Sequence, residues 1–251
     1  MNNLRILFIG NSHTYFHDLP ALVKESAKRA GYECEVTMLA HGGWFLAQHV
    51  SGPEARFNIM HGNYDYVVLQ EHSHPFPEED KYFDAVRTLA AWIKDAGSRA
   101  VIYATWAKKK EPEMQAYMNR LHEEIAGETG ALLAAVGQKW WDYQAMNPDV
   151  ELYDKDGAHA SVAGSDFAAG QIWNTIEKDL NRFAEDKDRN LQEEGFSQGD
   201  IVAITFEDGE QWEKGIVVDN GFGKLVIRNM ENEFAIAYVE REDKITLIEK
   251  A

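Results

Sequence analysis

A small polar turn follows the first apolar run of the chain and carries residue types suited to nucleophilic chemistry. The run at 6–9 ends at Gly10, after which come Asn11, Ser12, His13 and Thr14. A helical pattern begins near Leu19, so helix amide groups would face this turn. A serine held there can attack an acyl group beside donors that bind an anion. Alternatively, Ser12 or Thr14 only caps the helix.

A possible base for such a nucleophile lies far away in sequence, at Asp156 and His159. A carboxylate three residues before a histidine can bond one ring nitrogen, which fixes the tautomer and leaves the other nitrogen as a general base. The pair precedes a predicted helix at 161–183. The alternative is a surface turn in which the aspartate is a cap. The position of the pair, together with the Ser12 turn, favours the catalytic interpretation.

Two further polar turns follow predicted strands. Gly42 and Gly43 could bring a backbone N–H close to an oxyanion, or could simply form a turn that needs positive φ. Gln70 ends a strand, where its amide could donate to an oxyanion or could be a satisfied polar group. Both interpretations stay open for each.

The elements that would position these residues alternate along the chain. Apolar strand patterns lie at 6–9, 33–40, 64–70, 100–106 and 131–136, and helical patterns at 19–30, 44–50, 79–96, 112–127 and 161–183. This alternation predicts an α/β fold with a parallel sheet that is covered on both faces. Ligands of such sheets bind beyond the carboxyl ends of the strands, so we expect the polar turns to meet in one crevice.

The composition changes after Phe183. Residues 185–194 are highly charged and are predicted to be a linker, and 195–251 carry short β patterns at 201–206, 212–218, 224–229, 234–238 and 245–248. The Asp-Gly and Asn-Gly steps at 207–210 and 219–221 are typical of hairpin turns. We expect a small all-β barrel of SH3-like size and of unknown role.

The bulk composition excludes several function classes. A formal charge of -17 disfavours a sequence-independent grip on nucleic acid or on an anionic membrane. No apolar run approaches a membrane span, and the first residues do not resemble a signal peptide. The single cysteine, Cys34, suits a reducing compartment. The sequence therefore predicts a cytoplasmic protein without a cofactor.

Taken together, the four polar blocks resemble the SGNH/GDSL hydrolase superfamily. They are 10–13, Gly42-Gly43, Gln70-Glu71 and 156–159, and their order fits the family pattern across residues 4–183. The resemblance implies a catalytic domain over 1–184, built as a three-layer α/β/α sandwich with a five-stranded parallel, flavodoxin-like sheet. It implies a serine esterase with Ser12 as nucleophile, His159 as base, Asp156 as its orienting partner, and the Ser12 and Gly43 amides as oxyanion donors.

Two blocks depart from the family pattern. Asn11 replaces the usual aspartate before the serine, and Gln70-Glu71 replaces the usual Gly-x-Asn-Asp. Gln-Glu is similar to the carbohydrate acetylesterase branch, in which a glutamine takes the donor position. The resemblance thus implies that the substrate is a small-molecule acetyl ester, such as an acetylated carbohydrate. It leaves Gln70, His72 or Ser73 as the third oxyanion donor.

Two alternatives of other classes remain. Glu71, His72 and His74 could bind zinc or manganese in a metal-dependent hydrolase. The crevice could also belong to a non-catalytic ligand-binding module.

Overall fold

The computed structural model describes residues 4–194, 198–206, 211–218, 226–231, 236–238 and 244–249. The chain divides into two compact units, Met1–Ile176 and Glu177–Ala251. No helix in the described ranges is both long and apolar enough to cross a bilayer.

The first unit is built on five parallel strands. They are β1 (Leu4–Gly10), β2 (Cys34–Ala40), β3 (Tyr66–Leu69), β4 (Arg99–Tyr103) and β5 (Leu132–Ala134). The helices between them are α1 (Ser12–Tyr15), α2 (Leu19–Arg29), α3 (Leu46–Ser51), α4 (Pro53–His61), α5 (Glu79–Asp95), α6 (Met114–Thr129) and α7 (Val136–Met146). The last helix, α8 (Val162–Glu194), runs from the first unit into the second.

The strand order β2-β1-β3-β4-β5 confirms the predicted parallel, flavodoxin-like sheet. Strand β1 pairs with β2 on one side and β3 on the other, with Ile9 opposite both Leu39 and Leu69. Strands β1 and β3 therefore flank a topological switch point. In such folds ligands bind at this point, beyond the carboxyl ends of the strands. The apolar residues at 6–9 are fully buried, so both faces of the sheet are covered.

Three helices were not predicted from the sequence as separate elements. They are α1, α4 and α7, and α7 begins at Val136 immediately after β5, inside a segment predicted as strand. Gly137 explains the close turn, because a Cβ at this position would lie 2.1 Å from the Thr105 carbonyl oxygen. The helix predicted at 161–183 continues to Glu194, since the charged segment is rich in good helix formers.

The second unit contains an antiparallel sheet of five strands. These are β6 (Ile201–Thr205), β7 (Gln211–Val218), β8 (Val226–Asn229), β9 (Ile236–Tyr238) and β10 (Lys244–Glu249), in the order β10-β6-β7-β8-β9. A small core of Val202, Ile204, Val217 and Ile227 lies on one face. The hairpin turns predicted at 207–210 and 219–221 lie outside the described residues.

Candidate active site

Three side chains from distant parts of the chain form a continuous line of hydrogen bonds. Ser12 Oγ lies 2.8 Å from His159 Nε2, and His159 Nδ1 lies 2.6 Å from Asp156 Oδ2. Ser12 follows β1, whereas the other two lie in the turn that precedes α8. The structure thus brings together the serine, histidine and aspartate that the sequence singled out, in the geometry of a nucleophile, a base and an orienting carboxylate.

The turn at 156–159 fixes the carboxylate as well as the imidazole. Asp156 Oδ1 accepts hydrogen bonds from the backbone N–H groups of Ala158 and His159, each at 2.9 Å. Partial burial opposes ionisation, but the bonds from the His159 ring and from these two amides outweigh it and lower the pKa of Asp156 to about 2. The carboxylate is therefore ionised at neutral pH and holds the proton of His159 on Nδ1.

Aromatic rings pack on the His159 imidazole. Phe16 stacks on it with ring centroids 4.2 Å apart and an interplanar angle of 10°, and the His13 ring lies 4.9 Å away. Burial lowers the pKa of His13 well below its ordinary value, so this neighbour is neutral. Both residues come from the short segment after β1 that also carries Ser12. One local segment therefore supplies both Ser12 and the rings that pack on His159.

Trp106 stabilises the turn at 156–159 through its indole ring. Its indole Nε1 donates to the Ala158 carbonyl at 2.8 Å, and its ring stacks on Trp140 with centroids 3.8 Å apart. In the sequence, Trp106 ends the strand pattern at 100–106 and Trp140 precedes the turn. These positions are equally compatible with packing and with contact to a ligand.

The glycine turn after β2 lies against the Ser12 segment. The His41 N–H donates to the Gly10 carbonyl at 3.2 Å, and Asn11 Nδ2 donates to the Trp44 carbonyl at 2.9 Å. Gly43 has φ +75°, a conformation that favours glycine, and a Cβ there would meet open space. The turn thus needs glycine for its backbone geometry, and it places the Gly43 peptide beside the catalytic crevice.

Gly42 and Asn11 have structural contacts. A Cβ at Gly42 would lie 2.9 Å from the Tyr15 hydroxyl, so the missing side chain makes room for this ring. Asn11 is 1% exposed, and its Oδ1 accepts from the His13 N–H at 3.1 Å. Since its Nδ2 also donates to the Trp44 carbonyl, Asn11 joins the Ser12 segment to the glycine turn.

Gln70 lies beneath the crevice and its side chain does not face into it. Its Oε1 accepts from the Asn11 N–H at 2.8 Å and from Thr14 Oγ1 at 2.9 Å, while its Nε2 donates to the Glu71 carbonyl. The side chain is 1% exposed. Of the two interpretations left open by the sequence, this geometry favours the one in which Gln70 is a satisfied polar residue at a strand end, where it supports the Ser12 turn.

Glu71 is a buried carboxyl next to the start of α3. It is 2% exposed, and its Oε1 accepts from the backbone N–H groups of Leu46 at 3.2 Å and His72 at 2.5 Å. Burial raises its pKa to about 7, although these two bonds favour the ionised form. A buried carboxyl near a crevice whose pKa is raised in this way is a candidate for a functional role.

The residues proposed as a metal site do not converge. Within the described part of the chain no three His, Cys, Asp or Glu side chains are arranged to hold an ion. His72 Nδ1 donates to the Pro75 carbonyl at 2.8 Å, and the His74 ring packs 5.5 Å from His13. Ser73, the other candidate donor, bonds Thr105 Oγ1 at 2.5 Å and is buried.

Comparison with known proteins gives matches in structure alone. No protein-family model matches the chain, and no curated protein sequence does. A solved structure from Slackia heliotrinireducens, described as an SGNH hydrolase, is 32% identical and has a TM-score of 0.61; the match covers 70% of this chain and 100% of that one.

Two more distant structures share the fold. A carbohydrate esterase of family 3 from Talaromyces cellulolyticus is 14% identical, with a TM-score of 0.57 and coverage of 70% of this chain and 97% of that one. The acetyl xylan esterase AlAXEase is 18% identical, with a TM-score of 0.55 and coverage of 69% and 100%.

Proposed function

Because this chain belongs to the SGNH hydrolases and is a serine hydrolase, we propose that it cleaves a small acyl ester through Ser12, His159 and Asp156. The observation that carries the proposal is the line of two hydrogen bonds, 2.8 Å and 2.6 Å long, which joins the three side chains.

The proposed reaction is a two-step acyl transfer. His159 Nε2 takes the proton of Ser12 Oγ as this oxygen attacks the ester carbonyl. The tetrahedral intermediate collapses, and the departing alcohol oxygen receives the proton from His159. Water then attacks the acyl-enzyme with His159 again as base, which releases the carboxylic acid and restores Ser12. Asp156 stays ionised throughout and stabilises the imidazolium that forms in each step.

We assign the oxyanion hole to two backbone donors, the N–H groups of Ser12 and Gly43. Asn11 supports this assignment, because it lies next to Ser12 and bonds the residue that follows Gly43. The amide of Gln70, the hydroxyl of Ser73 and the Nδ1–H of His72 are each engaged in other hydrogen bonds. Two backbone N–H groups are sufficient for efficient serine hydrolases of other folds.

The proposed substrate is an acetyl ester on a carbohydrate. Two proteins with this fold are, by description, an acetyl xylan esterase and a carbohydrate esterase. Both share little sequence with this chain, so the support they give lies in the shared fold alone.

Substitution of the nucleophile tests the proposal. Ser12→Ala should lower kcat for p-nitrophenyl acetate by at least about 10³-fold and should abolish labelling by a fluorophosphonate probe. Ser51→Ala is the matched control, since this exposed serine lies on α3 and bonds only the Ala47 carbonyl. Unchanged hydrolysis in Ser12→Ala would refute the assignment. Absence of labelling in the wild type would instead favour a non-catalytic binding module.

For the second unit we propose a closed SH3-like barrel over 195–251 that follows the charged segment 185–194. The support is its strand order, because the last strand, β10, returns to pair with the first, β6. A five-stranded meander whose ends approach in this way can close into a small barrel.

A further inference from the structure

An open groove of about 500 Å³ lies between α3 and the segment that leads from β3 into α5. The start of α3 contributes Phe45, Ala47 and Gln48, and the other wall includes Glu71 and Phe76. This volume is in the range of pockets that hold small molecules, and it far exceeds the needs of an acetyl group. The groove therefore has room for the larger part of an ester.

The aromatic walls of the groove are held in place by packing. Phe45 stacks on His72 with ring centroids 4.4 Å apart. The ring centroids of Tyr82 and His122 lie 5.3 and 5.2 Å from that of Phe76, each in an edge-to-face arrangement. Pro75 and Pro77 complete the apolar lining. Because these rings are fixed before a ligand arrives, the groove offers preformed flat surfaces.

The polar part of the groove includes one carboxyl group, Glu71, that makes no ion pair with another residue in the described ranges. At the rim, Lys81 pairs with Glu78 at 2.9 Å, so these two charges offset each other. Glu71, deeper in the groove, accepts only backbone N–H groups. Each carboxylate oxygen can accept more than one hydrogen bond, so Glu71 retains capacity for a donor from a ligand.

Short connections join the groove to the catalytic crevice. Phe45 directly follows Trp44, and Glu71 directly follows Gln70. Trp44 and Gln70 both accept hydrogen bonds from Asn11, at 2.9 and 2.8 Å, and Asn11 precedes the nucleophile. These links place Phe45 and Glu71 close to Ser12, and the ester proposed below would extend from Ser12 into the groove.

We propose that this groove binds the alcohol portion of the ester, a neutral polyol such as a sugar ring, and that Glu71 accepts a hydrogen bond from one of its hydroxyl groups. The proposal rests on the esterase function proposed above. The apolar faces of the ring would pack on Phe45 and Phe76, and the hydroxyl groups would meet Glu71 and Gln48.

Other occupants fit the groove less well. A long acyl chain would cover the Glu71 carboxyl with hydrocarbon and leave it without a new hydrogen bond, which is costly. A quaternary ammonium ester would gain from the aromatic faces, but its cationic group has no N–H or O–H to donate to the Glu71 carboxyl. A polyol satisfies the carboxyl and carries no charge.

The experiment compares esters that share an acetyl group. The kcat/KM values of methyl β-xylopyranoside monoacetate and ethyl acetate are measured, with ethyl hexanoate and acetylcholine as alternatives. Ala47→Trp fills the groove from an exposed helix position and removes no buried contact, and Glu71→Gln changes the acceptor. Ala91→Trp, exposed on α5 about 15 Å from Lys81 along the helix, is the matched control.

The wild type should prefer the xyloside acetate over ethyl acetate by at least about tenfold in kcat/KM, a difference that one well-placed subsite can supply. Ala47→Trp should remove this preference by raising KM, Glu71→Gln should reduce it, and Ala91→Trp should retain it. If the preference for the xyloside acetate over ethyl acetate survives in both Ala47→Trp and Glu71→Gln, the proposal is overturned. It is also overturned if the wild type prefers ethyl hexanoate or acetylcholine to the xyloside acetate and Ala47→Trp removes that preference. Ester cleavage by Ser12→Ala would refute the proposed function itself, whereas Ser12-dependent cleavage of ethyl acetate with no preference for the xyloside would refute the groove alone.

Discussion

Replacing Glu71 with glutamine should make the first unit more stable at alkaline pH. The carboxyl is 2% exposed, and burial raises its pKa from the ordinary 4.5 to about 7. Between these two values the native state holds the proton more tightly than the unfolded chain does. The free energy of unfolding therefore falls as pH rises through this window, and the contribution is lost above about pH 7.

The expected size follows from the pKa shift. One pKa unit corresponds to about 1.4 kcal/mol, so the wild type should lose about 2–3 kcal/mol between pH 5 and pH 8 through this group. Glutamine does not titrate, and its Oε1 can still accept from the amides of Leu46 and His72. Glu71→Gln should therefore gain about 2–3 kcal/mol over the wild type on going from pH 5 to pH 8.

Urea denaturation at both pH values, followed by tryptophan fluorescence, measures this difference. Six of the seven tryptophans lie in the first unit, so the signal reports mainly on it. Glu123→Gln is the matched control, because this side chain is exposed on α6. Buried histidines titrate equally in all three proteins and cancel in the comparison. A wild-type to variant difference that changes by less than about 0.5 kcal/mol between the two pH values would contradict the buried, protonated carboxyl.

Three further substitutions test how the site is held. Asp156→Asn should lower kcat for p-nitrophenyl acetate by at least about 10²-fold with little change in KM, since the His159 tautomer is no longer fixed; equal kcat in both proteins would contradict this. Asn11→Ala removes hydrogen bonds of a buried side chain and should cost about 1–3 kcal/mol in urea denaturation; wild-type stability would count against its structural role. Trp106→Phe removes the bond to the Ala158 carbonyl while keeping an aromatic ring, so steady-state kinetics should show reduced kcat with a folded circular dichroism spectrum; an unaltered kcat would show that the turn needs no such support.

The polar turns were predictable because each follows a local pattern. Ser12 directly follows a buried strand, and Asp156 with His159 directly precedes a helix, so short sequence windows mark both. A parallel sheet then brings strand ends to the same edge, which makes their meeting predictable without a structure. The parallel sheet itself follows from the alternation of apolar strands with helices.

The directions of side chains were harder to predict. Gln70 turns under the crevice because its acceptor oxygen meets the Asn11 N–H, a contact between residues 59 apart in sequence. Phe16 stacks on His159 immediately before the backbone passes into positive φ at His17 (51°) and Asp18 (53°), conformations that non-glycine residues adopt rarely. Such features depend on distant partners or on uncommon backbone states, and a sequence pattern carries neither.

The hydrogen bond between Ser12 and His159 joins residues 147 apart, and this separation sets the order in which activity can arise during synthesis. At about 5–20 residues per second, roughly 7–30 s pass between the synthesis of the serine and that of the histidine. The contact with Gln70, 59 residues from Asn11, can form much earlier. A growing chain therefore carries Ser12 without its proposed base for most of its synthesis, and in the proposed mechanism its first reaction with a fluorophosphonate follows the synthesis of His159.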